Sequence, residues 1–250
     1  MPDDPVGLQV MAEDGELSTV AVAYELNEEM VRRADAAGAE LIIAFHPLIY
    51  PSLKRITDGT RVERTVVELI RRRIALYILH TAFDAHPEGT SVLLARRLGL
   101  ANIRPIVPDA RRESAGMGAL GELAEPVQVQ ELARRLKAAC GADGVRISFP
   151  PDGDAESAIR TVGILGGSGM SFYDRAVACG ADAFITADVR YHAFHAANDG
   201  IPVLDPGHAE SEALVTAGIA SLVERVAAGL DQPVRVAPLV DSTNPVRLIV

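Results

Sequence analysis

The stretch Glu40-Leu41-Ile42-Ile43-Ala44-Phe45-His46-Pro47-Leu48-Ile49 decides the fold. An apolar run leads straight into a histidine and a proline, which predicts a buried strand ending at a site rather than in a plain turn. A strand buried on both faces belongs to a parallel or mixed sheet covered by helices. In such sheets ligands gather beyond the carboxyl ends of the strands, and His46 stands at such an end.

Working outward, residues 18–24 read as a strand and residues 27–37 as a helix that Asn27 can cap and Gly38 can terminate. Past a Pro-bracketed loop at 47–58, residues 60–73 are helical. That helix ends in Arg71-Arg72-Arg73, which suits the negative end of a helix dipole and reads as a solvated helix end. A strand at 74–79 delivers His80-Thr81-Ala82-Phe83-Asp84-Ala85-His86, and a helix at 89–98 follows. The alternation of strand and helix is the signature of a covered, largely parallel sheet.

The middle is punctuated by Pro105, Pro108 and Gly116-Met117-Gly118, with a helix at 129–139, a strand at 145–148 and a loop at 150–154. Then the opening pattern returns. Thr161-Val162-Gly163-Ile164 repeats Thr19-Val20-Ala21-Val22, and Ala178-Cys179-Gly180-Ala181-Asp182 repeats Ala36-Ala37-Gly38-Ala39-Glu40, both at an offset of 142. Two matches at one offset argue for a duplicated strand-helix-strand unit, and they align Ile43 with Ile185 and His46 with Asp188. A strand at 201–204, a long helix at 208–228 and a strand at 234–238 complete the chain before Asp241-Ser242-Thr243-Asn244-Pro245. The expected fold is three-layer α/β, with two related units and mixed sheets. The first unit spans about 1–112 and the second 113–235, and a tail at 236–250 returning to the first would interleave them.

With 48% apolar and 23% charged residues, the 250-residue chain reads as a soluble globular protein of one or two domains. Its net charge of −10, 4% aromatics and lack of any basic tract disfavour a nucleic-acid partner. The opening Met-Pro-Asp-Asp lacks the basic and apolar segments of a signal peptide, and no apolar run reaches about 18 residues. The expectation is a cytoplasmic protein without a membrane span. Cys140 and Cys179 lie in Ala-rich helical contexts and read as buried free thiols.

Several residues could carry chemistry. His208 and Glu212 are four apart on a predicted helix and so share one face, the spacing by which a helix offers two ligands to one metal. The same spacing also occurs in surface pairs, and Glu210 adds ambiguity. His80 and Asp84 form a second pair at a strand end, with His86 in the open turn beyond; Asp84 lies too early to cap the helix at 89 cleanly. With His46 these make a mixed His/carboxylate set of the kind that suits Zn, Fe, Mn or Ni. Gly166-Gly167-Ser168-Gly169 follows a strand and opens a helix, so its amides could seat a phosphate or carboxylate. Neither Gly-x-Gly-x-x-Gly nor a P-loop lysine is present, and a tight turn without a ligand is the competing reading. His192, in Asp188-Val189-Arg190-Tyr191-His192, is a further candidate, either a site residue or a surface one.

The ordered set of motifs resembles the Nif-three-like family, whose members are commonly labelled GTP cyclohydrolase I type 2 homologs. It runs through Val6-Gly7-Leu8-Gln9-Val10, Phe45-His46-Pro47-Leu48-Ile49, Lys54-Arg55-Ile56-Thr57, His80-Thr81-Ala82-Phe83-Asp84-Ala85, Gly166-Gly167-Ser168-Gly169, Gly180-Ala181-Asp182-Ala183, Asp188-Val189-Arg190-Tyr191-His192, Gly207-His208 with Glu212, and Asp241-Ser242-Thr243-Asn244-Pro245. The resemblance implies two α/β domains meeting at a dinuclear metal site, in subunits forming a ring-like homohexamer. Carried over by position, the metal ligands are His46, Asp84, His208 and Glu212. Many members have two consecutive histidines before the proline, and here the first is Phe45, which removes a ligand. Two cations a few ångströms apart repel, so one tight divalent metal and a weak second one are expected. The reading is a metal-dependent hydrolase in which metal-activated water attacks a nucleotide-like or other small substrate. In it His80 or His192 is the proton carrier and 166–169 the seat of a phosphate. The alternative is a metal-binding or regulatory protein that does no chemistry.

Overall fold

The computed structural model describes residues 4–12, 15–148, 158–240 and 242–247. In chain order the elements are β1 (Gly7–Val10), β2 (Thr19–Ala23), α1 (Glu28–Ala36), β3 (Leu41–Ala44), α2 (Arg61–Arg72), β4 (Ala75–Ile78) and α3 (His80–Asp84). Next come α4 (Thr90–Arg97), β5 (Ala101–Arg104), β6 (Val107–Pro108), β7 (Gly116–Met117), β8 (Ala119–Val127), α5 (Val129–Cys140), β9 (Arg146–Ser148) and β10 (Ile159–Ser168). The chain continues through α6 (Tyr173–Ala178), β11 (Ala183–Ala187), β12 (Val203–Asp205), α7 (His208–Ser211), α8 (Val215–Ala227) and β13 (Arg235–Leu239), with 3-10 turns at Met170–Phe172 and Tyr191–Asp199. Among the described residues no helix is long and apolar enough to cross a membrane. The loop at 150–154 and Asp241 lie outside them.

The first unit consists of residues up to 83 together with 215–247. Its sheet has the order β1-β4-β3-β2-β13, parallel throughout except for the antiparallel edge strand β1. Ile42, Ala44, Leu76 and Ile78 pack with Met30, Val31 and Ala34 of α1 and with Val66 and Leu69 of α2. β2 is buried along its whole length, and α8 packs on β13 and β2. Asn27 caps α1 through the Met30 amide at 2.9 Å.

The second unit consists of Asp84–Leu214. Its mixed sheet runs β5-β8-β10-β11-β12-β9, with β10, β11 and β12 parallel and both β8 and β9 antiparallel to their neighbours. One core joins Val162, Ile164, Ala183 and Ile185 to α4 and α5, and another gathers Leu165, Tyr173, Ala176 and Phe184. The division at 83 differs from the expected boundary at 112 because β5 pairs with β8 and α4 packs on β10 and β8. The return to the first unit comes at Val215, ahead of the expected 236, since α8 accompanies β13. The expected helix over 208–228 is broken: α7 ends at Ser211, and Glu212 leaves helical geometry at φ −111°, ψ 9°.

The two units repeat one pattern of strand pairing and backbone hydrogen bonding. Val20 pairs with Leu41 and Val22 with Ile43, while Val162 pairs with Ala183 and Ile164 with Ile185. The offset of 142 carries the first set onto the second. Glu40 accepts from the Ser18 and Thr19 amides at 3.2 and 2.8 Å, and Asp182 accepts from the Arg160 and Thr161 amides at 2.9 and 2.7 Å. Ala39 donates to the Ala34 carbonyl and Ala181 to the Ala176 carbonyl, at 2.9 and 3.1 Å. In both copies an acidic residue entering the second strand satisfies the free amides at the start of the first. Glu40→Ala and Asp182→Ala should therefore each cost about 1–2 kcal/mol, measured by urea unfolding. Burial pushes the Glu40 carboxyl up, but hydrogen bonds from Ser18 and Thr19 outweigh it and hold the group below its ordinary value of 4.5. Its contribution is present above that value and should fade as pH falls through the lowered one.

Candidate metal centre

In the second unit, β12 delivers Asp205 and Pro206, and Gly207 at φ 103° turns the chain into α7. A side chain at Gly207 would strike the Glu210 carboxylate, which folds back over it. His208 opens α7, and its Nε2 lies 3.2 Å from Glu212 Oε2. Its Nδ1 lies 2.7 Å from Asp188 Oδ2. Glu212 is 5% exposed, and so buried a carboxylate requires a cationic or hydrogen-bonding partner.

Gly167 shows why small residues occupy 166–169. Its φ is 68°, and a Cβ there would stand 2.4 Å from Glu212 Oε1 and 3.3 Å from His208 Nε2. The backbone therefore passes directly against the chelating pair, and only glycine leaves the carboxylate its place. The Gly167 amide donates to Ser211 Oγ at 2.9 Å and the Gly166 amide to Ser91 Oγ at 3.2 Å. Both amides expected to face an anion are thus engaged within the protein. Thr186 Oγ1 donates to the Gly167 carbonyl at 3.0 Å. The segment is braced where Gly167 passes the Glu212–His208 pair, and Gly169 packs against Leu165 and Thr186. Thr90 Oγ1 donates to Asp84 Oδ1 at 2.5 Å, and the Thr90 methyl packs against Gly166.

In the first unit, His46 leaves β3 with its amide bonded to the Tyr24 carbonyl at 2.9 Å. Its ring lies 4.6 Å from that of Tyr24, 4.9 Å from Phe45 and 5.9 Å from His80. Phe45 is 1% exposed and packs against Tyr24 and Phe83, so the residue at the position of a second histidine is here part of the core. His80 opens α3, and Asp4 binds its Nδ1 at 2.5 Å. His192 is exposed on the 3-10 turn, its ring against Tyr191 and His195. The structure thus brings His208, Glu212, Gly167 and Asp188 together in the second unit and His46 and His80 together in the first, with Asp84 held by Thr90.

Asp188 was marked in the sequence by the offset and by its motif, but its pairing with His208 was not foreseen. Asp4 carried no signal, because its partner is remote in the chain.

The donor set fits a borderline or hard divalent cation: an imidazole and a buried carboxylate side by side, with a second carboxylate fixing the far ring nitrogen. In the metal-free protein the hydrogen bond from His208 to Glu212, reinforced by Asp188, raises the imidazole to about 9 against the opposing effect of burial. Because the folded value lies above the ordinary 6.5, this stabilisation is fully present below the ordinary value and is lost as pH rises through about 9. An NMR titration of metal-free protein should place His208 near that value. Glu212→Gln should lower it more than Asp188→Asn does.

A model of the Duf34/NIF3 (NGG1p interacting factor 3) family matches residues 1–245. A Streptomyces coelicolor protein named GTP cyclohydrolase 1 type 2 homolog is 37% identical over 215 residues, 84% of this chain and 74% of that one. A Lactococcus lactis protein of the same name is 32% identical over 243 residues, 97% and 90% of the two chains. Among solved structures, a hypothetical protein of Staphylococcus aureus superposes with a TM-score of 0.91 at 25% identity, covering 98% of this chain and 92% of that one. A Bacillus cereus protein related to NIF3 superposes at 0.90 with 22% identity, covering 98% and 93%.

Proposed function

The chain belongs to the Duf34/NIF3 family, and from that premise we propose that it is a metal-dependent hydrolase acting on a small molecule, with His46, Asp84, His208 and Glu212 as its metal ligands. The observation that carries this reading is the approach of the Gly167 backbone to a buried Glu212–His208 pair, a cradle that any Cβ would fill. A divalent ion held there would supply Lewis acidity and lower the pKa of a coordinated water toward about 7. His208 would hold the ion with its ring oriented by the hydrogen bond between Nδ1 and Asp188. Glu212 gives the centre its buried negative charge. His80 holds or moves the proton, and a nucleotide-like substrate is one of the small molecules such a centre can take. Phe45 offers no ligand atom, so one tightly held metal per chain is the expected stoichiometry, with a weak second one at high concentration.

Elemental analysis and calorimetry of protein loaded with Zn should give one tight site, lost in His46→Ala and His208→Ala. Gly167→Ala should weaken it at least tenfold by displacing Glu212. Gly180→Ala, at φ 84° with nothing within 4 Å, carries similar backbone strain without the collision and should leave metal affinity unchanged. Stoichiometric metal in a His46→Ala/His208→Ala protein would overturn the ligand set. For the activity, a chelator-reversible hydrolysis of nucleotides, phosphoesters or cyclic amides is expected. A fully loaded protein that turns over none of them would reduce it to a metal binder.

A further inference from the structure

The segment leading into β1 brings a carboxylate to His80. Asp4 Oδ1 lies 2.5 Å from His80 Nδ1, and the other oxygen accepts from Thr81 Oγ1 and, at 3.3 Å, from the Thr81 amide. The Asp4 side chain is only 6% exposed. Burial pushes its carboxyl up, yet the hydrogen bonds from Thr81 and His80 prevail and hold it below the ordinary carboxylate value. His80 sits at φ 32°, outside the regions ordinary side chains favour, and its amide donates to the Phe45 carbonyl at 3.0 Å. Its ring stands edge-on to Phe45 at 5.8 Å and to His46 at 5.9 Å. Both the backbone and one ring nitrogen of His80 are thus held by specific partners. Such unfavourable backbone geometry persists where the surroundings over-determine it.

We propose that Asp4 is a positioning residue for His80: it accepts the Nδ1 proton, fixes the ring's orientation and tautomer, and leaves Nε2 as the acceptor beside the His46 strand end. An ionised carboxylate can only accept, so Nδ1 is the donor, and in a neutral imidazole the other nitrogen is then bare. Thr81 contributes by gripping the second Asp4 oxygen with two donors, which keeps the carboxylate from swinging away. A proton taken at Nε2 would create an imidazolium already facing a negative charge, the division of labour between His and Asp in acid–base pairs. This inference rests on the reading of His80 as the proton carrier.

The test is long-range ¹H–¹⁵N NMR of the full-length, metal-free protein near pH 8. His80 should show a protonated Nδ1 and a bare Nε2. Removing the carboxylate charge that accepts the Nδ1 proton, Asp4→Asn should shift the tautomer ratio about tenfold toward protonated Nε2, and Asp4→Glu should restore much of it. Zn stoichiometry should be the same in Asp4→Asn as in the unmodified chain, so a failure of the metal-ligand assignment would appear separately in the His46 and His208 variants. A wild-type His80 protonated on Nε2, or on both nitrogens near pH 8, overturns the proposal, and that spectrum decides it even if a variant fails to fold. An Asp4→Asn protein with an unchanged tautomer overturns it equally and makes Asp4 a tether for the chain's first residues.

Discussion

A carboxylate taken out of water needs a positive or hydrogen-bonding partner, or it costs several kcal/mol and protonates. Glu212 is such a group, and much of the second unit's local structure answers to it. The His208 ring supplies the partner from one turn away, Asp188 keeps that ring charged and oriented, and Gly167 gives up its side chain so the carboxylate has room. Ser211, next to Glu212, braces the Gly167 amide and in turn donates to the His208 carbonyl at 2.8 Å. In the metal-free chain the imidazolium is that positive partner, and the donors are already in place.

The duplication explains where these groups stand. In each unit the second strand of the repeat ends at a position that parallel topology places on the ligand-bearing edge. One copy puts His46 there, the other Asp188. The first is suited to bind an ion directly. The second acts through His208. The two copies thus carry different polar residues at equivalent strand ends, while the hydrogen bonds that build the scaffold, to Glu40 and to Asp182, recur in both.

What could be read from the sequence follows the range of the interactions involved. β3, α1, α2 and β4 were legible because apolar runs, Asn27, Thr60 and Gly38 act locally. β8 was not assigned, since Gly121 and Pro126 interrupt its pattern and its pairing with β5 and β10 is non-local. The unit boundary escaped for the same reason: nothing in residues 84–112 announces which sheet β5 will join. His208 and Glu212 were visible through their spacing, although the helix drawn through them stops at Ser211. Gly166 to Gly169 stood out as small residues, and the structure supplies a reason that spacing could not: room for a carboxylate, with two amides already committed to Ser91 and Ser211.

The pairing of β13 with β2 also sets an order of events on the ribosome. The second unit is drawn from one continuous stretch and can close its sheet as soon as that stretch has emerged. The first cannot, because β2 waits with an open edge until a strand made a whole domain later comes alongside it. An unpaired apolar edge is a template for other chains, so the nascent protein is most exposed to misassembly in that interval. Among the described residues, the strand that seals the first unit is therefore made only after the whole second unit.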